Sequence, residues 1–273
     1  MRNFESLAVA ATLAVAVFGY YRYEHKLEIN EPAEVYQSSI IAHAVGAAPD
    51  FAAIQNVQQK KQAFFDYLTP GIALENQRVM NERIRLERIA QHFEDNKLTG
   101  EDTSYAKRLG KLYRYELPAQ GIEQAWLSEM LHRVNVLPAS LVLTQAANES
   151  AWGTSRFATQ ANNYFGQWCY VQGCGLVPLQ RSEGAKHEVA KFSSVQESIH
   201  RYFMNVNRNK AYYALREIRF VRSENSQTLD DTNAALALTD GLVKYSERGE
   251  AYVKDLQAMI RHNDEYWKAN KIE

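Results

Sequence analysis

The chain lacks the residues and patterns on which several large protein classes depend. It has two cysteines in 273 residues, too few for a disulfide scaffold and, without further ligands at matching spacing, for a zinc site. It has no surplus of either charge, 31 Lys and Arg against 32 Asp and Glu. Phosphate-backbone binding draws on such a surplus, so no nucleic-acid partner is expected. The 7 histidines are scattered, with no HExxH or paired spacing, so no metal is expected. A Walker-type loop, a dinucleotide-type glycine loop and GxSxG are all absent, which removes the usual anchors of nucleotide-binding and serine-hydrolase readings. No cofactor is expected. Internal repeats and low-complexity tracts are missing as well.

What is present is enough for a core. A hydrophobic fraction of 46% excludes disorder as the main state, and the length suits one large domain or two modest ones. Aromatic residues make up 11%, with 16 Tyr and 4 Trp; their faces suit sugar rings as well as a core. One apolar run stands out, from Leu7 to Tyr21, preceded by Arg2 and followed by Arg22 and Lys26. It is shorter than the roughly 20 residues of a full span and resembles the apolar region of a secretory signal, yet no small-x-small cleavage site follows it. Residues 1–26 therefore read as a signal anchor or a signal peptide, which places the rest of the chain outside the cytoplasm. Residues 27–50, with Pro32, Gly46 and Pro49 and no sustained period, read as a tether.

Folded structure is expected from Phe51. Phe64, Phe65 and Leu68 keep helical spacing until Thr69-Pro70-Gly71, and Ile72, Val79, Met80, Ile84 and Ile89 resume it, which predicts two helices with a break or kink between them. The second carries Glu75, Arg78, Glu82, Arg83, Arg85, Glu87 and Arg88, the alternating pattern of a solvated face. A boundary at Leu117-Pro118 separates an N-terminal helical region, 51–118, from a second unit, 119–273. In that unit Pro138 starts a helix in which Leu141, Val142, Gln145, Ala146 and Glu149 share a face. Trp168 to Val171 and His187 to Phe192 read as a small β-hairpin lobe around Gly173, Gly175 and Pro178. A helix capped by a Ser194/Glu197 box follows, then helices around Tyr212 to Ile218, Ala234 to Leu242 and Tyr252 to Ile260.

Glu149 is an acid at the end of an apolar helix face, beside Trp152. Desolvation there raises a carboxylic pKa, so the group can hold a proton and donate it. Glycosidic bonds leave as poor alkoxides and need a proton on the bridging oxygen, with a second group to stabilise or intercept the oxocarbenium-like centre. The plainer reading has Glu149 satisfying backbone or an arginine at a helix end, and burial logic alone leaves both open.

The run Leu141 to Ser155 (LVLTQAANESAWGTS), followed by Asn162-Asn163-Tyr164-Phe165-Gly166, resembles the signature of the peptidoglycan endo-β-N-acetylglucosaminidase family, glycoside hydrolase family 73. With Gln167-Trp168-Cys169, Cys174 to Pro178 and the Phe64-Phe65 helix, it resembles the bacterial Bax subfamily. The resemblance covers most of the chain after residue 26. It implies a mainly α, lysozyme-like fold (α+β by its small lobe), the β-1,4-linked glycan of peptidoglycan as partner and substrate, and Glu149 as general acid. It also implies a periplasmic location, tethered to the inner membrane by residues 1–26.

By the same resemblance Tyr212 positions the substrate, or is a core aromatic, and Asn163, Tyr164, Phe165, Gln167 and Trp168 build one wall of the groove. Tyr164 is expected to bind and Phe165 to pack. Many members carry a second acid in the β lobe, where this chain has Val177-Pro178-Leu179. The nearest acids are Glu183, in a turn-like segment, and Glu188, expected to point outward from a strand. Cys169 and Cys174 are close enough to bridge the hairpin tip. Substrate assistance by an acetamido group is the route if no second carboxylate acts. Two other functions compete. A lytic transglycosylase would carry a Gly-Leu-Met-Gln type turn where this chain has Tyr164-Phe165-Gly166-Gln167. A silent glycan-binding protein is the other, and the departure at Val177 is what favours it.

Overall fold

A computed structural model describes residues 45–179, 181, 184 and 186–268. The apolar run, most of the tether and Glu183 lie outside the described residues. Among those described, no helix is long and apolar enough to cross a membrane.

The architecture is mainly α with one small β lobe, as expected of a lysozyme-like domain. Helix α1 spans Val57–Glu94, α2 Gly100–Leu112, α3 Gln124–Arg133, α4 Ala139–Ser150 and α5 Arg156–Ala161. The lobe holds β1 Trp168–Cys169, β2 Gly175–Leu176 and β3 Glu188–Ala190. It is a three-stranded antiparallel sheet of order β1-β3-β2, with Trp168 opposite Val189 and Gly175 opposite Ala190, where the sequence suggested a simple hairpin. Helices α6 Val195–Arg208, α7 Tyr213–Glu224, α8 Thr232–Thr239, α9 Glu250–His262 and α10 Asp264–Lys268 complete the unit, with a 3-10 turn at Lys210–Tyr212 before α7.

The expected break at Pro70 does not occur: α1 is one helix of 38 residues. Pro70 has no N–H for the Asp66 carbonyl, which costs a helix bond. The Thr69 hydroxyl donates to the Phe65 carbonyl at 2.7 Å beside it. The loss is offset because one face of α1, from Phe64 and Phe65 through Leu68, Ile72, Val79, Leu86 and Ile89, is buried in a single core shared with α3 to α9. Gly71 is required by a close crossing: a Cβ there would lie 2.4 Å from Val45 Cγ2 and 2.8 Å from Ile199 Cδ1. Its carbonyl accepts from Gln196 Nε2 at 3.1 Å.

The charged stripe of α1 is the solvated face expected at Glu87 and Arg88, which are exposed, but not along the rest of it. Glu75 is 2% exposed and Arg83 8%. Arg78 bridges Glu75 at 2.6 Å and Glu82 at 2.5 Å, the Tyr113 hydroxyl donates to Glu82, and His200 Nδ1 meets Glu75 at 2.9 Å. Burial holds His200 well below its ordinary pKa, so the imidazole is neutral. Its buried members face α6 and the end of α3, and periodicity alone does not distinguish a charged face turned to water from one turned to a partner helix. At the 194–197 cap, Ser194 Oγ accepts from the Glu197 amide at 3.1 Å, but the Glu197 carboxylate accepts from Ser193 instead of closing the box.

Buried arginines tie the helix ends together. Arg219, 0% exposed, donates to the carbonyls of His132, Arg133, Asn135 and Val136 and to Asn207 Oδ1. Arg83 reaches the Leu131 and Val134 carbonyls from α1. Three of these acceptors, the carbonyls of Leu131, His132 and Arg133, lie in the last turn of α3, where cations are also favoured by the helix dipole, and the others, apart from Asn207, follow just beyond it. Burial and neighbouring Arg216 push the Arg219 pKa down, and it stays charged at neutral pH. Arg219→Met strands several buried acceptors at once, so we expect a loss of about 3 kcal/mol or more in urea unfolding. A loss below about 1 kcal/mol would mean water replaces the guanidinium there.

Candidate active site

Helix α4 is buried on nearly every side: Leu141, Val142, Leu143, Gln145, Ala146 and Ala147 are all inside. Its penultimate residue, Glu149, is half-buried. The apolar helix therefore carries the carboxyl to the edge of the core and stops.

A directed hydrogen-bond relay holds it there. The Tyr202 hydroxyl on α6 donates to Gln145 Oε1 at 2.5 Å, Gln145 Nε2 donates to the Tyr252 hydroxyl oxygen at 3.0 Å, and Tyr252 on α9 donates to Glu149 Oε1 at 2.8 Å. Asn148 Nδ2 adds a second donor to Oε1 at 3.2 Å. Because Tyr252 already accepts from Gln145, its own proton is committed to Glu149. The free oxygen is Oε2, and beside it stands Gly166, whose absent Cβ would lie 3.2 Å from Oε2. Gly166 has φ +63°, the left-handed region that favours glycine, so backbone and space both ask for it.

Burial raises the Glu149 pKa above the ordinary carboxylate value, while the bonds from Tyr252 and Asn148 and the charge of Arg248 pull it back down. Burial raises the pKa of Tyr252 as well, reinforced by the neighbouring Glu149. Among the described residues no donor reaches Oε2, so a proton on Glu149 rides on that oxygen. An acid that holds its proton on its open face is suited to general-acid work.

Around this relay sits a tyrosine cluster. Tyr245 stacks on Tyr252 with centroids 5.6 Å apart and 2° between planes, and its hydroxyl donates to the Phe165 carbonyl at 2.9 Å. That bond anchors the Phe165-Gly166 turn against the acid. Tyr212 lies one ring further out, 5.8 Å from Tyr245, and is buried. It joins the cluster through Tyr245.

The expected groove wall divides. Phe165 is core, stacked at 4.3 Å on Tyr202. Tyr164, expected to bind, is 1% exposed and packs against Phe64 and Tyr67 of α1. Asn163 is 1% exposed and has no capacity left for a sugar. Its amide donates to the Gln167 and Ala190 carbonyls and its oxygen accepts from the Phe165 and Gln167 amides. Gln167 donates to the Ser198 carbonyl. Trp168 alone of the five is well exposed, 51%, with its indole stacked on His187 at 4.2 Å.

Glu188 corrects a further expectation. It is buried, not outward, and each oxygen accepts a backbone amide, from Gly173 at 3.0 Å and Gly175 at 2.9 Å. Those bonds hold its pKa below the ordinary value. It fastens the 170–174 loop to β3, next to the Cys169–Cys174 disulfide. Those two cysteines and Glu188 are near enough to hold a metal ion by distance, but the sulfurs are joined to each other and the carboxylate is taken. Glu183 lies outside the described residues.

Sequence reasoning singled out Glu149 but missed Gln145, Tyr202, Tyr245 and Gly166 as its support, and saw Tyr252 only as part of a helix. The one available signal was polar: Gln145 sits four residues before Glu149 on an otherwise apolar face and needs partners when buried. Two surface depressions, of 590 and 440 Å³, lie elsewhere and neither is lined by Glu149.

A carboxylic acid at the end of a buried helix, facing a glycine turn and a small β lobe, defines a glycoside-hydrolase-like site. Residues 124–265 match the family model described as mannosyl-glycoprotein endo-beta-N-acetylglucosaminidase, and the chain belongs to this glucosaminidase family. It is 30% identical over 215 residues to protein bax of Escherichia coli (strain K12), across 79% of this chain and 74% of that protein. No solved structure matches it significantly.

A raised pKa means the folded state binds the Glu149 proton more tightly than the unfolded chain. The stability this confers is complete below the ordinary value of 4.5 and is lost as pH rises through the folded pKa. We therefore expect Glu149→Gln, which cannot ionise, to be more stable than the parent at neutral pH, with the gap closing below about pH 4.5. Thermal melts of both proteins from pH 4 to 8 test this; a gap that does not change with pH contradicts it.

Proposed function

We propose that the chain hydrolyses the β-1,4 bond after N-acetylglucosamine in peptidoglycan, with Glu149 as general acid. The carrying observation is the directed relay that leaves Oε2 open beside Gly166 while Oε1 is held. In this reading the proton passes from Oε2 to the bridging oxygen as the bond to the anomeric carbon breaks. The carboxylate left behind is received by the donors already aimed at Oε1, Tyr252 and Asn148. Membership of the glucosaminidase family supports a glycan substrate.

The oxocarbenium-like centre needs a second group. Glu188 has both oxygens committed to backbone amides, so it is not that group. Glu183 lies outside the described residues, so interception falls either to the acetamido carbonyl of the substrate or to this carboxylate. The disulfide at Cys169–Cys174 supports an oxidising compartment. With the apolar segment at Leu7 to Tyr21 it underlies a periplasmic site of action beside the inner membrane.

Digesting purified peptidoglycan with the parent, Glu149→Gln and Glu183→Gln, then identifying borohydride-reduced chain ends by mass spectrometry, tests the reading. We expect reduced N-acetylglucosamine ends from the parent and a loss of about 10²–10⁴-fold with Glu149→Gln. Retention within about threefold with Glu183→Gln assigns interception to the acetamido group, and a loss comparable to that of Glu149→Gln assigns it to Glu183. Anhydro-muramyl ends would move the assignment to a lytic transglycosylase. Binding without cleavage would move it to a glycan-binding protein.

A further inference from the structure

The acid helix ends on unusual backbone. Ala151, Trp152 and Gly153, the residues that follow Ser150, take φ of 50°, 57° and 77° in succession. Only the last is glycine, and residues with a Cβ visit this region singly and at a cost. Such conformations persist where the surroundings over-determine them, and they concentrate at functional sites. The turn is what closes α4: the Trp152 amide donates to the Ala147 carbonyl at 2.9 Å and the Gly153 amide to Ser150 Oγ at 2.8 Å. Glu149 rides on this last turn, one residue from its end.

The groups that hold the turn come from far upstream. The Trp152 ring is met edge-on by Phe64 at 5.5 Å and Phe65 at 5.3 Å, and the Lys61 ammonium stands 5.5 Å over it. Lys61 is itself fixed by Asn263 Oδ1 at 2.8 Å. Phe51 lies against Gly153, where a Cβ would come within 2.4 Å of its ring. All four residues precede the family-matched region, 124–265. That region contains the acid and its relay but not the aromatic and cationic groups that clamp the turn behind the acid.

We propose that the Lys61, Phe64 and Phe65 face of α1 is a positioning element for Glu149, acting by holding Trp152 in left-handed backbone. The catalytic consequence rests on the reading of Glu149 as the acid. The clamp itself does not, and the two are separable by experiment. Without the clamp, Trp152 relaxes toward ordinary backbone, the Ala147 and Ser150 bonds open, and Glu149 drifts from the Tyr252 hydroxyl. A face that merely completed the core would lower global stability and leave the surviving folded molecules fully active.

The test uses the full chain carrying Lys61→Met, which changes a half-buried residue, and Phe65→Leu, each alone and each combined with Trp152→Gly. Glycine adopts the left-handed turn unaided. Amide hydrogen exchange is read at residues 152 and 153 against amides in the middle of α6, and kcat and KM are read on soluble glycan strands. We expect exchange at 152 and 153 to rise about tenfold in each clamp variant with α6 unchanged. We expect kcat to fall about tenfold with KM within about twofold. Adding Trp152→Gly should restore kcat toward the parent. Uniform acceleration of exchange across the protein, or a further fall of kcat on adding Trp152→Gly, would overturn the proposal, since removing a half-buried aromatic compounds a purely structural defect. If the parent cuts no glycan, the exchange data still decide the clamp, and it is the enzyme reading alone that fails.

Discussion

The hydrogen bond from the Tyr252 hydroxyl to Glu149 is the joint on which the site depends. It fixes which oxygen of the carboxyl is held and which is open, and its direction follows from a polar chain that begins at Tyr202 and crosses Gln145. Three helices meet in that chain, α4, α6 and α9. Burial pushes Glu149 toward its protonated form and the relay limits the push. A carboxyl buried with no donors would be locked neutral, and one in water would be ionised at neutral pH. The half-buried position with donors on one oxygen lies between these extremes, where an acid can give its proton and accept the resulting charge.

Much of the remaining structure serves to keep that joint in register. The Tyr245 hydroxyl holds the Phe165 carbonyl and so keeps Gly166 against Oε2. Asn163 spends all its bonding capacity on the same turn and on the β lobe. Arg219 and Arg83 gather the carbonyls at the end of α3, which precedes the acid helix, and Arg83 does so from α1. The region before the family match is thus tied to residues 124–265 by polar bonds as well as by shared core.

Most helices of the second unit and the β lobe were legible because each rests on local rules of periodicity, caps and turn residues; Glu149 stood out as an acid ending an apolar stripe, and a chemical role for it came only with the family resemblance. Three kinds of feature were not. Pro70 reads as a break, yet burial of the α1 face on both sides of it carries the helix through. The charges of α1 read as solvated, because alternation along a helix cannot tell water from a partner; Glu75 and Arg83 face α6 and α3 instead. The polar residues of the turn read as sugar-binding, since an amide or hydroxyl does not announce whether its partner is a ligand or a backbone group 27 residues away, as with Asn163 and Ala190. Tyr252 and Gln145, 107 residues apart, meet only through tertiary packing, so no spacing rule could join them.

The central claim is that Glu149 holds a proton on Oε2 more tightly than an ordinary carboxylic acid. Titrating its side-chain carboxyl carbon by NMR in selectively labelled protein, with Glu149→Gln giving the assignment, measures this without reference to any substrate. The account predicts a single midpoint above 4.5, moved higher still in Tyr252→Phe, where the donor to Oε1 is gone. A midpoint at or below 4.5, or one indifferent to Tyr252, would contradict it.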